Sequence, residues 1–256
     1  MNRRLLLSSA VIAACAAPSL TGCTAADRVI DLFGPAPDPV LVQLAAQAQA
    51  EGRSEHADAL FAEVARLCGT HADGTTPRSC EVDRAAAQAA LSTAPAPAPL
   101  EANVPAESRA LLVAQAIDVA AAQPLPAGQD VPADVVPPTG ATEDQAKELL
   151  EWEYEVIWGL DFARAFAAPE QESRIDGLLT EHEKVALALA NALGAAAPSP
   201  AVGYHSAALP ADAASATAFV DSLLGASDRR WAAAAGKAAA GPWQDWVIAT
   251  AAALRN

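Results

Sequence analysis

Few residues in this chain have a type and spacing that could support chemistry, and most of those lie in its second half. His182 sits among Ile175, Leu178, Leu179, Ala186, Leu189 and Leu193. Offsets of three, four and seven place its imidazole on the buried stripe of a helix, away from the solvated face. A buried ring nitrogen needs a partner. Glu151, on the preceding helical stretch, can supply one across an antiparallel pair. Glu155 lies one turn from Glu151, and Tyr154 and Trp158 share the face of Glu151. Two readings stay open. In one, Glu151 and His182 form a polar clasp that fixes helix register. In the other, Glu151, Glu155 and His182 hold a single metal ion or a small ligand, with Tyr154 and Trp158 in support. No cofactor is expected beyond that one ion. Glu181 and Glu183 flank His182 and point away from its face, so they read as surface charge.

The four cysteines are the other reactive groups. Asn2-Arg3-Arg4 precedes a short apolar stretch from Leu5 to Ala14, the pattern of an export signal and too short for a membrane anchor. The run Leu20-Thr21-Gly22-Cys23 resembles the lipobox of bacterial lipoproteins. That resemblance implies a signal peptide over residues 1–22 and acylation of Cys23 by fatty acid such as palmitate. The chain would then be held at the extracytoplasmic face of the cell membrane. Two or three acyl chains give stable anchoring where one does not. Arg3-Arg4-Leu5-Leu6-Leu7 also resembles a twin-arginine signal, and both this route and general secretion stay open. With Cys15 in the leader and Cys23 lipidated, Cys68 and Cys80 remain as an even pair around a Gly/Thr/Pro-rich loop, expected to form a disulfide. His71 lies between them, but two Cys and one His fall short of a four-ligand zinc set.

The formal charge is −15, two units more negative without Arg3 and Arg4, and no basic run interrupts it. Nucleic acid and anionic headgroups are therefore poor electrostatic partners. The expected partners are the membrane, through the lipid, and an envelope protein or ligand.

Helices must position these groups, because no alternating Val, Ile, Thr and aromatic run is long enough to make a strand. About a quarter of the residues are alanine, far above ordinary usage. Residues 23–37 read as a tether and 38–123 as an N-terminal helical segment. Asp38 caps its first helix, with Pro39 at the first position and a stop at Gly69. Gly52-Arg53-Ser54 marks either a kink or a break. A short helix over Glu81 to Leu91 follows, then the Ala94–Pro99 spacer. The next helix opens at Asn103, with Leu111, Leu112, Ala116 and Val119 inward. Residues 124–141, rich in proline, form a linker.

The second half, 142–256, reads as four helices. Thr142-Glu143-Asp144-Gln145 is a capping box opening the first. Pro169 opens the second and Gly194 ends it. Asp212 caps the third, and Gly241-Pro242 precedes the fourth. Trp243 and Trp246 read as core plugs. No phosphate-cradling Gly loop or nucleophile elbow is present.

Glu151, Gly159, His182, Gly203-Tyr204, Leu209-Pro210 and Asp212 to Ala216 with Trp231 resemble a family of actinobacterial ferritin-like domains of unknown function. The resemblance spans about residues 142 to 256 and implies an all-α fold. In it, a ferritin-like four-helix bundle carries the additional N-terminal helical segment. A di-iron set needs a Glu-x-x-His on two helices. Here Leu179 stands three before His182, and no such motif occurs in the third or fourth helix. The expected function is a non-catalytic envelope binding or scaffolding module. A mono-metal-binding or oxidoreductase protein with a degenerate ferritin-like site is the alternative.

Overall fold

Local signals start most of the helices. In the structure, a computed structural model, residues 34–255 are described apart from 72, 124–131, 133–134, 136–137 and 207. The leader, the lipobox with Cys23 and most of the Pro-rich linker lie outside the described residues. All regular structure among the described residues is helical, with no strand. No described helix is long and apolar enough to cross a membrane.

Helix α1 (Pro39–Ala50) begins where Asp38 accepts hydrogen bonds from the backbone N–H of Val40 and Leu41. Gly52, at φ 78°, breaks the chain into a separate α2 (Ser54–Cys68), because a left-handed residue cannot continue a helix. Leu41, Leu44, Leu60, Phe61 and Val64 from this pair form the first apolar core. Each such side chain contributes about 1.5–3 kcal/mol by burial. Cys68 and Cys80 are joined in a disulfide, with their Cα atoms 6.3 Å apart. It ties the end of α2 to a short turn before α3 (Arg84–Ala90).

Helix α4 (Arg109–Ala121) starts after a 3-10 turn at Ala106–Ser108, not at Asn103. Its most buried positions are Leu112, Val113, Gln115 and Ile117, while Leu111, Ala116 and Val119 stay half-buried. Leu112 joins the first core, whereas Val113 and Ile117 join the core of the second half. The helix therefore serves both cores, although the Pro-rich segment follows it in sequence. Its Gln115 donates to the carbonyl of His56 at 3.0 Å, and its Asp118 bonds Arg255.

The second half is built on α5 (Ala141–Arg164), α6 (Pro169–Leu193) and α7 (Ala213–Lys237), closed by the half-length α8 (Pro242–Ala253). A short connection folds α6 back antiparallel on α5, and α7 packs on α5. The expected capping box at Thr142 does not form. Thr142 lies inside α5, where its hydroxyl donates to the carbonyl of Thr139 and accepts from its N–H. Asp212 and Ser215 instead make a reciprocal cap at the start of α7.

Two apolar layers follow along α5. At one end, α4 and α8 join α5, α6 and α7 around Leu150, Leu189, Trp231, Trp246 and Val247. At the other, three helices suffice, with Val156, Leu160, Ile175 and Val220 inside. Trp243 and Trp246 stack at 5.4 Å and are buried.

Candidate functional site

Between the two apolar layers lies a polar one, to which α5, α6 and α7 each contribute a side chain. The buried positions of α5 are Ala146, Leu149, Leu150, Glu153, Val156, Gly159, Leu160 and Ala163, a helical stripe with a carboxylate in its middle. Glu153 is 0% exposed, and its neighbours across the interface, His182 and Trp231, are each 1% exposed. His182 Nδ1 lies 2.6 Å from Glu153 Oε2, and Trp231 Nε1–H donates to Oε1 at 2.9 Å. Both carboxylate oxygens are thus engaged by groups on different helices. With His182 Nδ1–H as the donor, Nε2 is left as a lone pair, and it has no hydrogen-bond partner among the described residues. An unfilled buried acceptor is tolerated better than an unfilled buried N–H. Beside this cluster, Trp152 Nε1–H reaches Ser227 Oγ at 3.3 Å, a second cross-bond between α5 and α7.

The partner of His182 is therefore Glu153, and the expected Glu151 clasp is corrected. Two residues turn a helix by about 200°, so Glu151 emerges on the opposite side of α5, exposed to solvent. Glu155 is half-buried on the same outer face as Glu151. Among the described residues no three His, Cys, Asp or Glu side chains form a group able to hold a metal ion. Glu151, Glu155 and His182 in particular do not converge. The signal for Glu153 was present in the sequence. Its offsets from Leu149, Val156 and Leu160 are four, three and seven, the same pattern that placed His182 inside.

Part of the outer face of α5, around Trp158, lies under an irregular strap between α6 and α7, described over residues 197–206 and 208–211. Tyr204 lies against Trp158, ring centroids 6.0 Å apart, and its hydroxyl accepts from the N–H of Ala201. Trp158 in turn stacks on Phe162. Desolvation, and then the nearby Tyr204, push the Tyr154 hydroxyl pKa upward.

Clefts open on either side of the strap. One of about 640 Å³ on the α6 side is lined by Tyr154, Trp158, Asp161, Leu187 and Tyr204. On the α7 side, a cleft of about 610 Å³ holds Glu148, Glu151, Trp152, Glu155 and Arg230. A further one of about 450 Å³ holds Glu155, Trp158, His205 and Phe219. Neither Glu153 nor His182 lines any of these clefts. Gly159 explains how closely α5 and α7 approach here, since a Cβ on it would sit 2.8 Å from Leu223 Cδ2.

The exchangeable chemistry of this half is therefore on the surface, in carboxylates and aromatic rings, while the Glu–His–Trp cluster is sealed. No family model matches the chain, and neither does a curated protein or a solved structure.

Proposed function

We propose that the protein is a lipid-anchored envelope module that binds a partner or ligand on its helical body without catalysing a reaction. The observation that carries this reading is the separation of buried and open polar groups. Glu153 and His182 are at most 1% exposed and bound to each other, which suits a register clasp. A catalytic acid or base must instead come within hydrogen-bond reach of a substrate. Two of the open clefts are lined mainly by apolar and aromatic side chains and the third by Glu148, Glu151, Glu155 and Arg230 beside Trp152 and Tyr204, linings suited to recognition.

The anchoring part rests on the Leu20-Thr21-Gly22-Cys23 motif and on the disulfide, which suits an oxidising compartment. The ferritin-like relationship is part of the same reading. It is supported by the hairpin of α5 and α6 followed by α7 and α8.

Palmitate labelling and membrane fractionation of wild type and Cys23→Ser test the anchor. Label on the wild type alone, with release of the variant from the membrane, is the expected result. Elemental analysis of protein purified without chelators tests the body. Stoichiometric metal lost in both Glu153→Gln and His182→Ala would sink the non-catalytic reading.

A further inference from the structure

The α7 side of the strap carries a more specific signal. Glu148, Glu151 and Glu155 fall at offsets of three and seven on one edge of α5, and all three line the cleft of about 610 Å³. Glu155 also lines the cleft of about 450 Å³, so the two lie next to each other along α5. Each cleft has two aromatic rings among its lining residues, Trp152 and Tyr204 in the first, Trp158 and Phe219 in the second. Arg230 is the one cationic side chain among the lining residues, and its guanidinium lies over the Trp152 ring, 4.9 Å from the centroid. The chain thus places a cation of its own on this wall. A ring face attracts positive charge through its quadrupole, and flanking carboxylates reinforce that attraction. Farther along, at Trp158 and Phe219, the same kind of wall is lined by no Lys or Arg.

We propose that this groove docks an extended, lysine-bearing peptide segment of an envelope partner, whose ammonium groups sit on the aromatic walls between the carboxylates. The inference rests on the binding-module reading and names its ligand. Three carboxylates face one guanidinium in the first cleft, so the charge there is unbalanced in favour of a cation. The acidity of the whole chain adds long-range attraction of the same sign. Length favours a peptide over a free amine. From Glu148 to Gly159 the groove follows α5 for about 16 Å. About five extended residues span that distance, and alternate side chains then point into successive clefts. The four methylenes of lysine match the aromatic rings of the two clefts, and its ammonium matches the carboxylates.

The test uses the full chain and the blocked peptide acetyl-Lys-Ala-Lys-Ala-Lys-Ala-amide, with binding followed by calorimetry. We expect saturable one-to-one binding that weakens about tenfold in the triple variant Glu148→Gln, Glu151→Gln, Glu155→Gln. The remote triple Glu55→Gln, Glu101→Gln, Glu107→Gln removes the same charge and should change affinity less than about twofold. Arg230→Gln should tighten binding by more than Arg229→Gln, since only the former clears the Trp152 face. Thermal midpoints by circular dichroism identify any variant that fails to fold, and the two arginine variants leave the carboxylate edge intact. Equal losses in the two triple variants would overturn the site. Hexamethylenediamine binding as tightly as the peptide would overturn the peptide occupant. No binding of the peptide at all would also overturn the inference, but not the anchored-module reading, which stands or falls on the palmitate and metal measurements.

Discussion

Glu151 and Glu153 stand two residues apart on one helix and have opposite fates. Glu153 is fully buried, with one oxygen on His182 and the other on Trp231. Glu151 is exposed at the edge of an open, aromatic-walled groove. The side chains are identical, so the difference comes from helical phase and from what packs on each face. A buried carboxylate is tolerated where donors on other elements meet it, and that requirement makes it a device for fixing register. A solvated carboxylate costs little and constrains little, which leaves it free to meet a ligand.

Removing one side of the sealed cluster is the harshest way to test this contrast. Glu153→Ala strands His182 and Trp231, and His182→Ala strands a buried carboxylate. Each should cost about 3–5 kcal/mol in urea unfolding. The double variant Glu153→Leu, His182→Leu should recover much of that loss, and a double variant no better than either single would deny the clasp. The disulfide comes next. Cys68→Ala with Cys80→Ala should cost about 3 kcal/mol, with faster hydrogen exchange confined to the end of α2 and the turn after it. Loosening that spread into α5 and α6 would mean that the two cores are more tightly coupled than α4 alone allows. Trp231→Phe keeps the ring and removes one donor to Glu153, for an expected cost of about 1–3 kcal/mol. Glu151→Gln, on the open side, should stay within about 0.5 kcal/mol of wild type. A larger loss there would erase the distinction between the two faces.

Acid should sharpen the comparison in the first half of the chain. The hydrogen bond from Arg66, aided by Ser108 and opposed by desolvation, holds the Glu63 carboxyl below the ordinary glutamate value of 4.5. A carboxylate with a lowered folded-state pKa adds stability that is present above its unfolded value and is lost as pH falls through the folded one. The stability gap between wild type and Glu63→Gln should therefore be full near neutrality and close below pH 4.5. Unfolding midpoints of both proteins across that range check it, and a gap independent of pH would contradict the pairing.

Helix boundaries were the most legible feature, because they depend on neighbours in sequence. Asp38 with Pro39, Pro169, Asp212 and Gly241-Pro242 each start a helix where composition places one. Thr142 was misleading. Its pattern fits a cap, yet the chain enters α5 two residues earlier, through Gly140 at φ 58°. The interior position of His182 was legible from its apolar neighbours. Its partner was misplaced because a carboxylate reads as solvated until donors from other helices are known. Glu153 satisfies the same spacing rule as His182, but the donors that make its burial tolerable lie 29 and 78 residues away.

The sequence by itself determined the helical class, most helix starts, the cysteine pair and the acidic surface. Those properties follow from backbone preference, composition and local spacing. Only the tertiary structure decided that α4 serves both cores, that Glu153 holds His182, and that the strap leaves a carboxylate-edged groove beside it. Each of these depends on which faces of distant helices meet, and helical phase within one segment cannot specify what another segment brings to it.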